Sequence, residues 1–149
     1  MTTSIRILIT DDHAIVREGQ RALIETEPDM EVVGEAADGI EAVELARTLQ
    51  PDVILLDMRM PKMSGIEVLK RLRRAGLAMP IVMLTTSREE SDVVNALQNG
   101  ARGYLLKDME PEELIKALQD TAEGDSVAAR RARMALDMNR DGLAGEVLR

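Results

Sequence analysis

Carboxylates stand at the ends of two short apolar runs in this sequence. Asp57 ends the run from Val53 to Asp57, and the pair Asp11-Asp12 follows the run from Ile5 to Thr10. If both runs are parallel strands, their carboxyl ends meet at one edge of a sheet, and the three carboxylates share a cleft. Carboxylates that converge repel each other, so either a pKa rises or a cation joins them.

Phosphoryl transfer with Mg²⁺ is the chemistry that such a cleft favours. Mg²⁺ prefers oxygen ligands, takes one or two protein carboxylates, keeps several waters and bridges to a phosphate. A carboxylate can then act as the nucleophile and form an aspartyl phosphate, provided that nearby donors neutralise the transferring group. Two further apolar runs end in such donors, because Thr85 supplies a hydroxyl and Lys107 an ammonium.

The elements that must position these side chains alternate along the chain. Unbroken apolar runs rich in Ile and Val predict five buried strands, with helix-length segments between them. The predicted strands are Ile5 to Thr10, Val32 to Ala36, Val53 to Asp57, Ile81 to Thr85 and Gly103 to Leu106, and the predicted helices are Ala14 to Glu27, Gly39 to Leu49, Ser64 to Ala75, Glu89 to Asn99 and Pro111 to Glu123. This order predicts an α/β fold with a doubly wound parallel sheet and helices on both faces.

Local signals support several of these boundaries. Ser64 followed by Glu67 has the capping-box spacing at the start of the third helix. Gly76 and Gly100 are placed to end the third and fourth helices, since glycine readily adopts the left-handed conformation after a helix.

Composition narrows the function classes. The net charge of −8 disfavours nonspecific contact with nucleic acid or an anionic membrane surface. The absence of cysteine excludes disulfides, thiolate chemistry and Cys-ligated metals. There is no signal-peptide pattern and no apolar run of membrane-spanning length, so we expect a cytoplasmic protein without membrane contact.

Residues 1 to 124 are predicted to form one domain. Residues 125 to 149 lack a strand-like run and are predicted to form a helical linker.

The residues at the strand ends, taken together, resemble the receiver domain of bacterial two-component response regulators. The resemblance covers residues 5 to 124 and is carried by the acidic pair, by Leu-Leu-Asp57-Met-Arg-Met-Pro61-Lys-Met-Ser-Gly65, by Thr85 and by Lys107. Within that family, Asp11-Asp12-His13 and the segment from Gly100 to Leu114 are most similar to the NarL/FixJ (LuxR-type) branch, and especially to the nitrate/nitrite regulators.

The resemblance implies a flavodoxin-like (CheY-like) fold with strand order 2-1-3-4-5 and a phosphoacceptor site. Asp57 would take a phosphoryl group from a sensor histidine kinase. Asp12 and Asp57 would bind Mg²⁺ together with the backbone carbonyl of Arg59, and Asp11 would contribute through water.

The resemblance also implies a conformational switch with a transcriptional output. Thr85 would hydrogen-bond a phosphoryl oxygen, Lys107 would pair with the phosphoryl group, and Tyr104 would change rotamer as Thr85 moves. We expect a phosphorylation-dependent homodimer, and DNA binding only through a C-terminal helix-turn-helix domain that these residues lack. Apart from Mg²⁺-dependent self-phosphorylation and self-dephosphorylation, the domain is not expected to be an enzyme.

Other functions compete with this one. A receiver without a DNA-binding output would share its residues, and a Mg²⁺-dependent phosphohydrolase with an aspartyl nucleophile would use similar atoms. However, Arg59 stands where the haloacid-dehalogenase type of phosphatase has its acidic general acid. A nucleotide- or flavin-binding module would need a Gly-rich loop after the first strand, where Asp11-Asp12-His13 stands.

Simpler roles are open for single residues. Asp11 and Asp12 could cap the first helix, and Lys107 could be a solvated charge. Tyr104 could half-fill a surface groove, and His13 is assigned no role.

Overall fold

The structure is a computed structural model that describes residues 4–60, 62–86 and 90–124. Strands and helices alternate strictly over these ranges. In chain order they are β1 (Ile5–Thr10), α1 (Ala14–Ile24), β2 (Met30–Ala36), α2 (Gly39–Leu49), β3 (Val53–Asp57), α3 (Gly65–Arg74), β4 (Ile81–Thr85), α4 (Glu90–Gln98), β5 (Gly103–Leu106) and α5 (Pro111–Gly124). Among the described residues, no helix is both long and apolar enough to span a membrane.

The strands form a single parallel sheet in the order β2-β1-β3-β4-β5. This confirms the predicted α/β fold class and the strand order that the family resemblance implied. Every residue of β3 and β4 is buried, because helices cover both faces of the sheet. Burial on both faces also explains why these strands read as unbroken apolar runs rather than as alternating patterns.

Side chains that point to opposite faces of the sheet fill two separate cores. Leu8 and Leu56 pack in the core that contains residues of α2, α3 and α4. Ile7, Ile9 and Leu55 pack in the other core, with residues of α1 and α5. Full burial of each such side chain contributes about 1.5–3 kcal/mol, so the central strands are held firmly from both sides.

Two predicted boundaries were wrong by a few residues. Helix α1 ends at Ile24 rather than Glu27, because the chain turns at Glu25 and the Thr26 hydroxyl donates to the Leu23 carbonyl at 2.7 Å. Strand β2 starts at Met30 rather than Val32, since Met30 pairs with Ile5 at the end of the sheet.

The predicted signals at other boundaries are confirmed. The Ser64 hydroxyl accepts a hydrogen bond from the Glu67 N–H at 3.3 Å and caps α3. Gly76 and Gly100 follow α3 and α4 with φ of +79° and +97°, a conformation that favours glycine. Glu89 and the predicted linker at residues 125–149 lie outside the described residues.

Gly65 brings the start of α3 directly against the end of β3. Its N–H donates to the Met58 carbonyl at 2.8 Å. A Cβ added at Gly65 would lie 2.5 Å from the Asp57 carbonyl oxygen and 2.9 Å from the Met58 Cα. Backbone atoms cannot yield as a flexible side chain would, so only glycine permits this approach of α3 to the end of β3.

Replacing Gly65 by alanine tests this close approach. We expect Gly65→Ala to lower the free energy of unfolding by about 1–3 kcal/mol, because the added methyl must displace backbone. Gly19→Ala is the matched control, since Gly19 lies exposed in α1 with no atom within 4 Å of an added Cβ. The control should raise stability by about 0.5–1 kcal/mol through helix propensity. Urea unfolding followed by circular dichroism measures both, and equal gains at the two positions would contradict the packing described.

Candidate functional site

Three of the side chains that sequence analysis selected meet at the carboxyl edge of the sheet. Asp11 follows β1, Asp57 ends β3, and Lys107 follows β5. The Lys107 Nζ lies 3.1 Å from the Asp57 Oδ1 and 3.3 Å from the Asp11 Oδ2. Lys107 therefore bridges two carboxylates from different strands, and the simpler interpretation of it as a solvated charge is wrong.

Burial gives this cluster its unusual electrostatics. Asp11 and Asp57 are only 1% and 4% exposed. Burial and the neighbouring Asp11 charge raise the pKa of Asp57, and Lys107 only partly offsets this. Burial alone would lower the pKa of Lys107, but the hydrogen bond and charge of Asp57, together with Asp11, raise it overall. Lys107 is thus a fixed ammonium at neutral pH.

Asp12 adds a third carboxylate to the same edge. One oxygen each from Asp11 and Asp12 and a ring nitrogen of His13 lie within 4.8 Å of one another. The Asp12 Oδ1 is buried and has no hydrogen-bond partner among the residues that the structure describes, although His13 Nδ1 approaches it to 3.2 Å. A buried carboxylate oxygen without a partner is costly unless a cation joins it. This donor set could therefore hold a metal ion.

His13 contacts the acidic pair, which sequence analysis did not foresee. Its backbone N–H donates to the Asp11 Oδ1 at 2.9 Å, while its ring is 66% exposed. His13 occupies the N-cap of α1 without a side-chain capping bond among the described residues. Asp11 is thus not the N-cap residue itself, but its carboxylate accepts the N–H of that residue at the start of α1.

Arg17 and Glu35 also belong to the site, and sequence analysis missed both. The Arg17 guanidinium donates to the backbone carbonyl of Asp11 at 2.6 Å and to the Glu35 carboxylate at 3.2 Å. Arg17 lies on α1 and Glu35 on the edge strand β2. Sequence spacing gives no signal for such a contact, because it depends on how α1 lies across the sheet.

The remaining candidate residues lie around this centre. Thr85 is the last residue of β4, is 1% exposed, and its carbonyl accepts the Lys107 N–H at 2.7 Å. The Arg59 N–H lies 3.4 Å from the Asp57 Oδ1, and the Arg59 side chain is largely exposed. Tyr104 lies within β5, opposite Met83, and is half-buried against the core that contains α2 and α3.

The fold and this strand-end cluster define the class of protein. The family described as the response regulator receiver domain matches residues 7–119. The chain therefore belongs to the receiver domain family, which is a signalling family rather than an enzyme family.

Curated relatives place the chain within a branch of that family. The chain is 53% identical over 121 residues to the nitrate/nitrite response regulator protein NarL of Escherichia coli strain K12, covering 81% of this chain and 56% of that protein. It is 46% identical over 134 residues to the nitrate/nitrite response regulator protein NarP of the same strain, covering 90% and 62%. The chain is thus a receiver domain of the NarL type, and it spans less than two thirds of these relatives.

Solved structures of receiver domains are similar to this chain. The signal receiver domain of the response regulator NarL from Mycobacterium tuberculosis superposes with a TM-score of 0.79 at 40% identity, covering 82% of this chain and 98% of that one. The response regulator domain of Thermotoga maritima CheB gives a TM-score of 0.75 at 35% identity, covering 80% and 97%. These similarities do not favour the phosphohydrolase alternative.

Neutralising Asp57 tests whether its negative charge lowers the stability of the domain. Since burial and Asp11 both disfavour the Asp57 anion, we expect Asp57→Asn to raise the melting temperature in metal-free buffer at neutral pH. A gain near 1 kcal/mol corresponds to about 2–8 °C for a domain of this size. The control is Asp120→Asn, at an exposed position on α5, which should change little. A melting temperature for Asp57→Asn below that of the wild type would show that the anion is stabilised in place.

Proposed function

We propose that Asp57 accepts a phosphoryl group from a sensor histidine kinase in a Mg²⁺-dependent reaction, and that this switches the output of a transcription regulator. The observation that carries the proposal is the position of Lys107, whose Nζ lies within 3.3 Å of both Asp11 and Asp57. Lys107 brings one positive charge to a cleft with three carboxylates, so the cleft stays negative and suits a divalent cation.

Asp57 is the nucleophile of the proposed reaction. One of its carboxylate oxygens forms a bond to phosphorus while the phosphorus–nitrogen bond of the kinase phosphohistidine breaks, and the imidazole leaves. Lys107 already contacts the Asp57 Oδ1. Its ammonium can therefore pair with the negative charge of the new phosphoryl group. The same site would use a small acyl phosphate as donor, which is the self-phosphorylation expected of this domain.

Asp12 and Asp57 are the proposed ligands of Mg²⁺, with the Arg59 carbonyl as a third and Asp11 acting through water. The buried Asp12 oxygen supports this set, because it accepts no hydrogen bond from the described residues and a cation would compensate it. When bound, Mg²⁺ would neutralise charge on the transferring phosphoryl group. The His13 ring contacts both acidic residues, but it is 66% exposed, so His13 is not among the proposed ligands.

Thr85 and Tyr104 are proposed to convert the modification into a change of surface. Phosphorylation adds close to two negative charges and new acceptor oxygens, to which the Thr85 hydroxyl can donate. Strands β4 and β5 are neighbours in the sheet, with Thr85 opposite Leu106 and Met83 opposite Tyr104. Movement of Thr85 would therefore alter the packing around Tyr104 and the surface formed by α4, β5 and α5. Inverting such an equilibrium from 1:99 to 99:1 needs about 5.5 kcal/mol of differential stabilisation.

The output is proposed from the relatives. NarL and NarP are nitrate/nitrite response regulators of greater length than this chain. We propose that residues 1–124 act as the receiver domain, that residues 125–149 lead toward a helix-turn-helix domain, and that phosphorylation promotes a homodimer able to bind DNA through that domain. A cytoplasmic location follows from this role.

Loss of labelling in Asp57→Asn tests the proposed phosphoacceptor. After incubation with acetyl phosphate and Mg²⁺, mass spectrometry should map one phosphoryl group to Asp57 in the wild type and in the exposed control Asp120→Asn. Asp57→Asn should take up none, because an amide does not attack phosphorus as a carboxylate does. Full Mg²⁺-dependent labelling of Asp57→Asn would refute the assignment.

A further inference from the structure

Both backbone polar groups of Asp11 are held by other elements. Its N–H donates to the Ala36 carbonyl of β2 at 3.1 Å, and its carbonyl accepts from the Arg17 guanidinium at 2.6 Å. That carbonyl belongs to the peptide bond that joins Asp11 to Asp12. The Arg17 guanidinium therefore contacts the peptide link between the two acidic residues.

Glu35 holds Arg17 in this position. One Glu35 carboxylate oxygen accepts from the Arg17 Nε at 3.2 Å, and the other accepts from the Arg21 Nη1 at 2.6 Å. The side chains of Arg17 and Glu35 are 16% and 25% exposed, whereas that of Arg21 is 46% exposed. The more buried half of this network thus runs from β2 through Arg17 to the acidic pair, and the exposed half ends at Arg21.

The charge of Arg17 is paired by Glu35 through Nε, whereas a different nitrogen, Nη1, contacts Asp11. A lone guanidinium next to a cation site would repel the cation. Because Glu35 carries a compensating charge, Arg17 can hold the Asp11–Asp12 peptide with little repulsion toward a metal ion. Groups that hydrogen-bond to metal ligands and orient them commonly contribute about 10–100-fold to metal affinity.

We infer that Arg17, held by Glu35, is a positioning residue that fixes the Asp11–Asp12 peptide so that both carboxylates face the cation. This inference rests on the Mg²⁺ site of the proposed function. It gives a role in the site to β2, the strand that ends without a functional side chain of its own in the cleft.

The effect of Arg17→Ala on Mg²⁺ affinity separates positioning from general electrostatics. Removing a positive charge near a cation site should tighten Mg²⁺ binding if the charge alone mattered. Loss of positioning should instead weaken it, by about 10–100-fold in the dissociation constant. The two explanations therefore predict opposite changes in the Mg²⁺ dissociation constant. Arg21→Ala is the matched control, since Arg21 carries the same charge and contacts the same Glu35 but not Asp11; its dissociation constant should stay close to that of the wild type or fall.

Isothermal titration of each protein with MgCl₂ alone provides the measurement. Circular dichroism confirms that each variant is folded at the titration temperature. Arg17→Lys keeps the charge and can reach one acceptor, so it should recover part of the lost affinity, which also keeps the test usable if Arg17→Ala fails to fold. Unchanged or tighter binding in Arg17→Ala, or equal weakening in Arg21→Ala, would overturn the inference. Absence of Mg²⁺ binding by the wild type would instead overturn the proposed function on which it rests.

Discussion

Repulsion between buried carboxylates is the constraint on which the site depends. Asp11 and Asp57 are almost completely buried at adjacent strand ends, and Lys107 bridges them without removing all of their negative charge. Burial and the neighbouring carboxylate disfavour the Asp57 anion, and the remaining negative charge gives a cation a strong electrostatic reason to bind there. This charge imbalance is also the reason that the proposed phosphoryl transfer needs a divalent cation.

The surrounding fold holds the charged groups against this repulsion. Two apolar cores pack against β1 and β3, one on each face of the sheet. Gly65 lets α3 approach the end of β3 within backbone contact, and Arg17 ties α1 to the peptide after Asp11. Each device acts on the main chain next to an acidic residue rather than on its carboxylate. Neither Gly65 nor Arg17 therefore occupies a carboxylate oxygen of the cleft.

Sequence reasoning predicted β1, β3, β4 and β5 with their observed bounds, because burial on both faces leaves unbroken apolar runs. It also selected Asp11, Asp57 and Lys107, since a residue at the end of a parallel strand reaches the cleft wherever the helices lie. The edge strand β2 was harder to delimit. Arg17 and Glu35 were not predicted, because their contacts join a helix, an edge strand and a backbone carbonyl. No pattern of local sequence spacing indicates such long-range contacts.

A crystal structure of the domain with Mg²⁺ and beryllofluoride, a mimic of the phosphoryl group, examines the central claim most directly. The account predicts beryllium bonded to an Asp57 oxygen, Lys107 and Thr85 in contact with the fluorines, and Mg²⁺ bound by Asp12, Asp57 and the Arg59 carbonyl. An empty cleft at saturating concentrations of both, with Lys107 still between Asp11 and Asp57 as it is now, would contradict it.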